Sequence, residues 1–378
     1  MGGPTFLSIQ HLRAAAAIAV LLHHAMFEMS SRYGGPVIMG NLQIGAAGVD
    51  LFFVISGFVM VYASDGLFGR LGAARVFMLR RLVRIVPLYW TATAITLGYY
   101  ALHYGSRITE IYPPELIAAS LLFYPLPFAN GQVAPVHGLG WTLNYEMFFY
   151  VMFAVALAFP RGLAVGALTT AFVLLAVLGA ILELPLQFEF WFSPIILEFC
   201  FGMLIGWAYL RGVRIAPTTA WVLGGLAIAS LAFAALNGVG WRTLQWGGPS
   251  ALLVAAATLS ATTSTSTRAG AFGILLGDAS YSLYLLHPLV MATMGQTLAP
   301  WFGFSSAPWL AALSMIVGSV VVSIAAYMLF ERPVTRWLQG LRYVGFPVVP
   351  AKPIADLRIG RQFPMPIQDR GVTSLTSN

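Results

Sequence analysis

Apolar residues occur along this chain in long runs separated by brief polar stretches, not as a single stripe on short amphipathic segments. A run of about 20 mainly apolar residues is long enough to cross the hydrocarbon of a bilayer. Such runs predict ten transmembrane helices, near 8–28, 46–64, 85–103, 140–159, 162–181, 192–210, 218–236, 247–263, 273–296 and 309–330. The Pro-flanked segment 115–128 is apolar but short, which predicts a re-entrant or interfacial helix. No internal repeat is strong enough to suggest the inverted halves of many secondary transporters. The expected architecture is an all-α, polytopic membrane helix bundle over residues 1–343. A flexible cytoplasmic tail over 344–378 is expected to follow, because its Pro-rich polar sequence has no apolar period.

Composition removes the main alternative. Hydrophobic residues make up 59% of the chain and charged residues only 9%, whereas a soluble domain carries about a quarter charged side chains. An ordinary soluble enzyme is excluded, and the bilayer must act as solvent. The formal charge of +7 would suit nucleic acid, but the basic residues form no aromatic-interleaved patch, so no nucleic-acid partner is expected. Their placement is topological. With a cytoplasmic N-terminus the inside loops hold Arg70, Arg75, Arg80, Arg81, Arg84, Arg161, Arg211, Arg214 and Arg268, and the tail adds more. The outside loops keep only Arg32, Arg107 and Arg242. By the positive-inside rule both termini face the cytoplasm. The lone cysteine, Cys200, lies in an apolar run, which excludes a disulfide scaffold or thiolate cluster. The six histidines show no ligand spacing, so no metal is expected. Residues 1–7 have no basic n-region, so no cleavable signal peptide is expected.

Ionisable side chains inside membrane spans are costly and mark candidate functional sites. Arg13 and His24 are eleven residues apart, which returns to within about 20° of the same helix face roughly 16 Å further along the axis. His23 points about 80° away from Arg13, so His24 is the stronger candidate. Asp50 stands at the outer mouth of the second span, either as a catalytic carboxylate or as a helix N-terminal acid complementing the dipole. Glu146 lies about six residues into a span running inward, roughly 9 Å below the outer surface, where a carboxylate must be protonated or matched. His287 follows Tyr281 and Tyr284 roughly 21 Å up an outward-running span. Pro288 beside it frees a backbone carbonyl, so His287 either satisfies that carbonyl or contacts substrate. His24 reaches roughly 24 Å by the same count, so three titratable groups from three spans are expected at similar depth, with Asp50 at the rim above them.

At the cytoplasmic end, Arg80-Arg81-Leu82-Val83-Arg84 precedes Pro87-Leu88-Tyr89. This is either a positive-inside anchor or a phosphate site, since Arg81 and Arg84 share a face at i, i+3 and present planar forks. Asp278 and the Glu331-Arg332-Pro333 stop of the last span lie at similar depth. A phosphate site inside and a histidine-carboxylate site further out suit a long donor with phosphates at one end and its reactive atom at the other.

Several blocks together carry a family likeness: Arg13-x10-His24, GVDLFFVISGF over 48–58, Arg81-x-x-Arg84 leading into Pro87-Leu88-Tyr89, WTLNYEMFFY over 141–150, SYSLYLLHP over 280–288 and Glu331-Arg332-Pro333. In that order the chain resembles the acyltransferase 3 family of integral-membrane acyltransferases, and most of all its succinoglycan-type exopolysaccharide O-acetyltransferases. The resemblance implies ten transmembrane helices in the bacterial inner membrane, cytoplasmic acetyl-CoA as acyl donor, and acetylation of a glycan hydroxyl on or near the periplasmic side. It assigns Arg13 and His24 as the functional pair, and Arg81 and Arg84, with neighbouring Arg80, to the donor. No esterase-like domain follows the tenth span, so the stand-alone form is expected. Polysaccharide-assembly proteins are possible partners on the same grounds.

The expected chemistry has His24 act as general base on a sugar hydroxyl that attacks the thioester. Glu146, Asp50 or Glu28 orients the imidazole, Arg13 neutralises charge along the channel, and His287, Asn144 and Tyr284 contact the acceptor. An acetyl-histidine intermediate is the rival route. Two other functions remain open from sequence: acylation of a small secondary metabolite such as a macrolide, and a glycan transporter or flippase whose polar residues line a path without acyl transfer.

Overall fold

The computed structural model describes residues 4–33, 42–128, 130–237, 240–261, 268–295 and 308–340. The expected tail over 344–378 lies outside the described residues. In chain order the helices are α1 (Pro4–Tyr33), α2 (Ala47–Ala63), α3 (Ala73–Tyr104), α4 (Ile108–Ile111), α5 (Pro114–Leu121), α6 (Trp141–Ala156), α7 (Arg161–Ile181) and α8 (Leu186–Trp191). They continue with α9 (Leu197–Leu210), α10 (Pro217–Asn237), α11 (Gly248–Leu259), α12 (Arg268–Asp278), α13 (Ser280–Thr293), α14 (Pro308–Ala326) and α15 (Arg332–Gly340). The protein is an all-α membrane helix bundle.

Among the described residues six helical segments are long and apolar enough to cross a membrane. They are Leu7–Ser31, Ile44–Ala63, Arg161–Ile181, Leu186–Leu210, Pro217–Asn237 and Pro308–Gly340, and α12 with α13 forms a seventh that is bent by 71°. The three remaining predicted spans correspond to α3, which carries the arginine cluster, and to α6 and α11, which are short. The predicted straight ninth span over 273–296 is therefore corrected. The helix breaks at Ala279, and the Gly277 carbonyl, which an unbroken helix would use at position 281, accepts the Arg13 Nε–H instead.

Close helix crossings set the bundle's shape. A Cβ on Gly202 of α9 would lie 2.0 Å from the Val54 carbonyl oxygen of α2, and one on Gly57 2.1 Å from that of Phe199. Only residues without side chains let these two backbones approach so closely, a common way to pack helices where lipid removes the hydrophobic drive between them. Phe77, Phe149, Phe153, Phe172 and Phe199 are fully buried at the centre. Outward faces stay apolar, as at Trp221, Ile228 and Phe233 of α10 and Val317 and Val321 of α14, as a lipid solvent requires.

The segment over 115–128 folds back beside the middle of α3. Tyr89 Oη donates to the Ser120 carbonyl at 3.1 Å, Trp90 Nε1 to that of Leu121 at 3.0 Å, and the Val136 amide to Ser120 Oγ at 2.9 Å. The turn before α6 packs at the same level, since a Cβ on Gly140 would lie 2.7 Å from Tyr89 Oη. Tyr89 is 15 residues before the C-terminal end of α3, so α6 starts roughly 22 Å along the axis from that end.

Candidate active site

A cavity of about 100 Å³ opens between α1, α2, α3, α6 and α13. Its charged lining is Arg13, Arg81, Arg84 and Glu146, and Thr142 and Tyr284 border it further out. Arg13 Nε and Nη2 donate to Ser280 Oγ at 3.1 and 2.8 Å, so the broken ninth span holds this guanidinium through both a backbone and a side-chain acceptor. Arg81 stacks over the Phe77 ring at 5.6 Å, and its Nε is buried without a hydrogen-bond partner among the described residues. Arg84 lines the cavity three residues on, as the i, i+3 spacing predicts, whereas Arg80 does not line it. Tyr281 Oη ties α13 to α3 by donating to the Ile85 carbonyl at 2.8 Å.

Glu146 accepts hydrogen bonds from Ser56 Oγ at 3.2 Å and from Tyr150 Oη. It shares the arginine cavity, which corrects the expectation that it lies with the histidines near the outer surface. The reason is the low start of α6: counting down from the outer surface put every residue of that helix too high.

His24 and His287 do meet. Their ring centroids are 5.0 Å apart, and His287 Nε2 lies 3.2 Å from His24 Nδ1. His24 Nδ1 also lies 3.0 Å from the Val20 carbonyl oxygen, and His287 Nδ1 2.9 Å from that of Leu283. His287 thus bonds a carbonyl adjacent to the one Pro288 leaves without its helical donor. Neither histidine lines the cavity. Tyr284 links the two regions: its hydroxyl shares a 3.0 Å hydrogen bond with Thr142 Oγ1, and its ring centroid is 6.3 Å from His287 and 5.9 Å from Phe52. Phe52 and Tyr284 close the cavity on the side of the histidines.

Asp50 is elsewhere. It is fully buried and held bidentately by Arg242, with Nε to Oδ1 at 3.0 Å and Nη2 to Oδ2 at 2.8 Å. Arg242 also lies over Trp246 at 4.9 Å. The expected rim carboxylate above the histidines is instead half of an ion pair joining α2 to the turn before α11, and is not placed to orient His24. Asn144 is buried with its Oδ1 unpaired among the described residues, and does not line the cavity.

Several participants were missed from sequence. Glu198 is fully buried on α9 beside Asp50 and Arg242, and the same rule that singles out Glu146 applies to it. Arg242 was read only as an outside-loop charge. Tyr150 and Ser280 carry no signal beyond their place in the aromatic and SYSLYLLHP blocks. His137, between α5 and α6, bonds Thr96 Oγ1 through Nδ1 at 3.0 Å.

A family model described as an acyltransferase domain matches residues 6–328, and the chain belongs to that family. Over 302 residues it is 36% identical to the exopolysaccharide production protein ExoZ of Rhizobium meliloti (strain 1021), covering 78% of this chain and 91% of that protein. It is 24% identical to the acyltransferase MdmB of Streptomyces mycarofaciens, covering 91% and 95%. It is 29% identical to protein 2 in the picA locus of Rhizobium radiobacter, covering 39% and 81%. No solved structure matches.

Proposed function

We propose that this membrane acyltransferase moves an acetyl group from cytoplasmic acetyl-CoA to a hydroxyl of an exopolysaccharide or its lipid-linked precursor. In this reading it sits in the bacterial inner membrane with both termini cytoplasmic. The observation that carries the reading is that Arg81 and Arg84 line a cavity and form no ion pair among the described residues. The ion pairs among the described residues join Arg107 to Glu110, Arg161 to Asp65 and Arg242 to Asp50. Unmatched cations at membrane depth are costly, and an anionic ligand relieves that cost. A phosphate-bearing donor suits two guanidinium forks one turn apart.

The cavity is smaller than the 300 Å³ or more typical of drug-sized ligands, so it suits the thin thioester arm and leaves the nucleotide at the cytoplasmic mouth near Arg84. The arm then extends past Glu146 toward Tyr284. His24 takes the proton of the acceptor hydroxyl, the oxygen attacks the thioester carbonyl, and the thiolate leaves and recovers that proton. Displacement of the Tyr284 and Phe52 rings opens the cavity toward His24. In the rival route His24 attacks first and carries the acetyl group itself; labelled acetyl-CoA without acceptor then leaves label on the protein.

The likeness to an exopolysaccharide production protein favours a glycan acceptor over a small secondary metabolite. The test is the O-acetyl content of surface polysaccharide from cells with the intact gene, without it, and with His24→Ala. Loss of O-acetyl groups with polymer export intact supports the reading. Unchanged acetylation, or loss of export itself, overturns it, the latter in favour of a transporter.

A further inference from the structure

The hydrogen bonds of the histidine pair fix its protons. His287 Nδ1 faces the Leu283 carbonyl oxygen at 2.9 Å, and a carbonyl can only accept, so Nδ1 of His287 carries the hydrogen. In a neutral imidazole the other nitrogen is then a bare acceptor. That nitrogen, Nε2, faces His24 Nδ1 at 3.2 Å, and the Val20 carbonyl oxygen faces the same atom at 3.0 Å. His24 Nδ1 thus meets two acceptors and must be the protonated nitrogen. Its Nε2, with no hydrogen bond among the described residues, keeps its lone pair.

We infer that His287 is a positioning residue which, held by the Leu283 carbonyl, fixes His24 as the tautomer whose Nε2 is the base. The arrangement does with an imidazole what a carboxylate does in hydrolase triads, where the partner selects tautomer and ring orientation without taking the proton itself. It differs in charge. A carboxylate would add a negative charge at membrane depth, while a neutral histidine supplies an acceptor without one. The pair also spans α1 and α13, so the ring of His24 is held from two helices. This replaces the expectation that His287 contacts the acceptor and supplies the orienter that Glu146 and Asp50, engaged elsewhere, do not.

The consequence for rate rests on the acyl-transfer reading, whereas the tautomer does not, so the test has two arms. Nitrogen-15 NMR of histidine-labelled protein in detergent, with the His24 signals assigned by His24→Asn, is expected to show His24 protonated at Nδ1 in the native protein. Protonation at Nε2 overturns the inference whatever the enzyme does. The second arm measures release of CoA from acetyl-CoA by purified protein, using as acceptor exopolysaccharide stripped of its O-acetyl groups by mild alkali. His287→Leu is expected to lower kcat about tenfold or more with KM for the polysaccharide unchanged, because Val20 alone then holds Nδ1. His287→Gln, whose amide oxygen can accept from His24, is expected to recover activity to within a few-fold of native. Equal loss in both variants, or a rise in KM for the polysaccharide with kcat retained, overturns the positioning role. If the native protein releases no CoA, the proposed acyl transfer fails while the NMR arm still decides the tautomer.

Discussion

Asp50 and Ser56 lie six residues apart on α2, and their surroundings show two ways of keeping charge inside a bilayer. Asp50 meets Arg242 in a closed bidentate pair with no exposed carboxylate surface. Ser56 helps hold Glu146 at the wall of a cavity where Arg81 and Arg84 form no ion pair among the described residues. The first cluster pairs Asp50 directly with Arg242, with Glu198 buried beside them, and joins helices. The second gathers three guanidiniums around one carboxylate with no ion pair among the described residues. Burial and residue type are shared, so the matching of charges separates a clasp from a site.

The largest effect should come from opening the clasp. Arg242→Met leaves Asp50 buried without its cation and is expected to cost about 3–5 kcal/mol, read as a lower thermal unfolding midpoint in detergent. Asp50→Leu combined with Arg242→Met should recover most of that loss, because an apolar pair can replace a buried ion pair. A double variant no more stable than the single one would show that the pair is not the clasp described. Arg84→Met should act the other way. It removes a cation that forms no ion pair among the described residues, so the midpoint is expected to hold or rise while, on the proposed donor role, KM for acetyl-CoA increases about 10- to 100-fold, the range of a charge-assisted contact of about 1.5–3 kcal/mol. Unfolding comparable to that of Arg242→Met would erase the distinction between the two clusters. The smallest effect is expected from Tyr150→Phe, which leaves Glu146 with Ser56 alone. A loss of about 1 kcal/mol is expected, with acetyl-CoA turnover reduced by less than that of Arg84→Met when both are assayed together.

The helical bundle was legible because lipid imposes a length and polarity rule on each span, and the i, i+3 placement of Arg81 and Arg84 followed from helix geometry. The similar depth of His24 and His287 also followed from counting rise along their spans, even though the count to His287 crosses the break at Ala279. The same count failed for Glu146, because α6 does not begin where a full span would. The bend at Ala279 and the low turn at Gly140 depend on which backbones touch, and no local pattern encodes that. Asp50 shows a different limit. Its residue type and depth were visible, but Arg242, 192 residues away, looked like an ordinary loop charge until the fold joined them.

The low start of α6 also bears on how such an enzyme can diversify. The described residues between α3 and α6 form short helices and turns instead of a straight helix, while the cavity arginines belong to α1 and α3. Connecting segments accept replacement and insertion more readily than packed helices. A short exchangeable piece of chain can therefore be remodelled while the arginine-lined cavity is inherited intact.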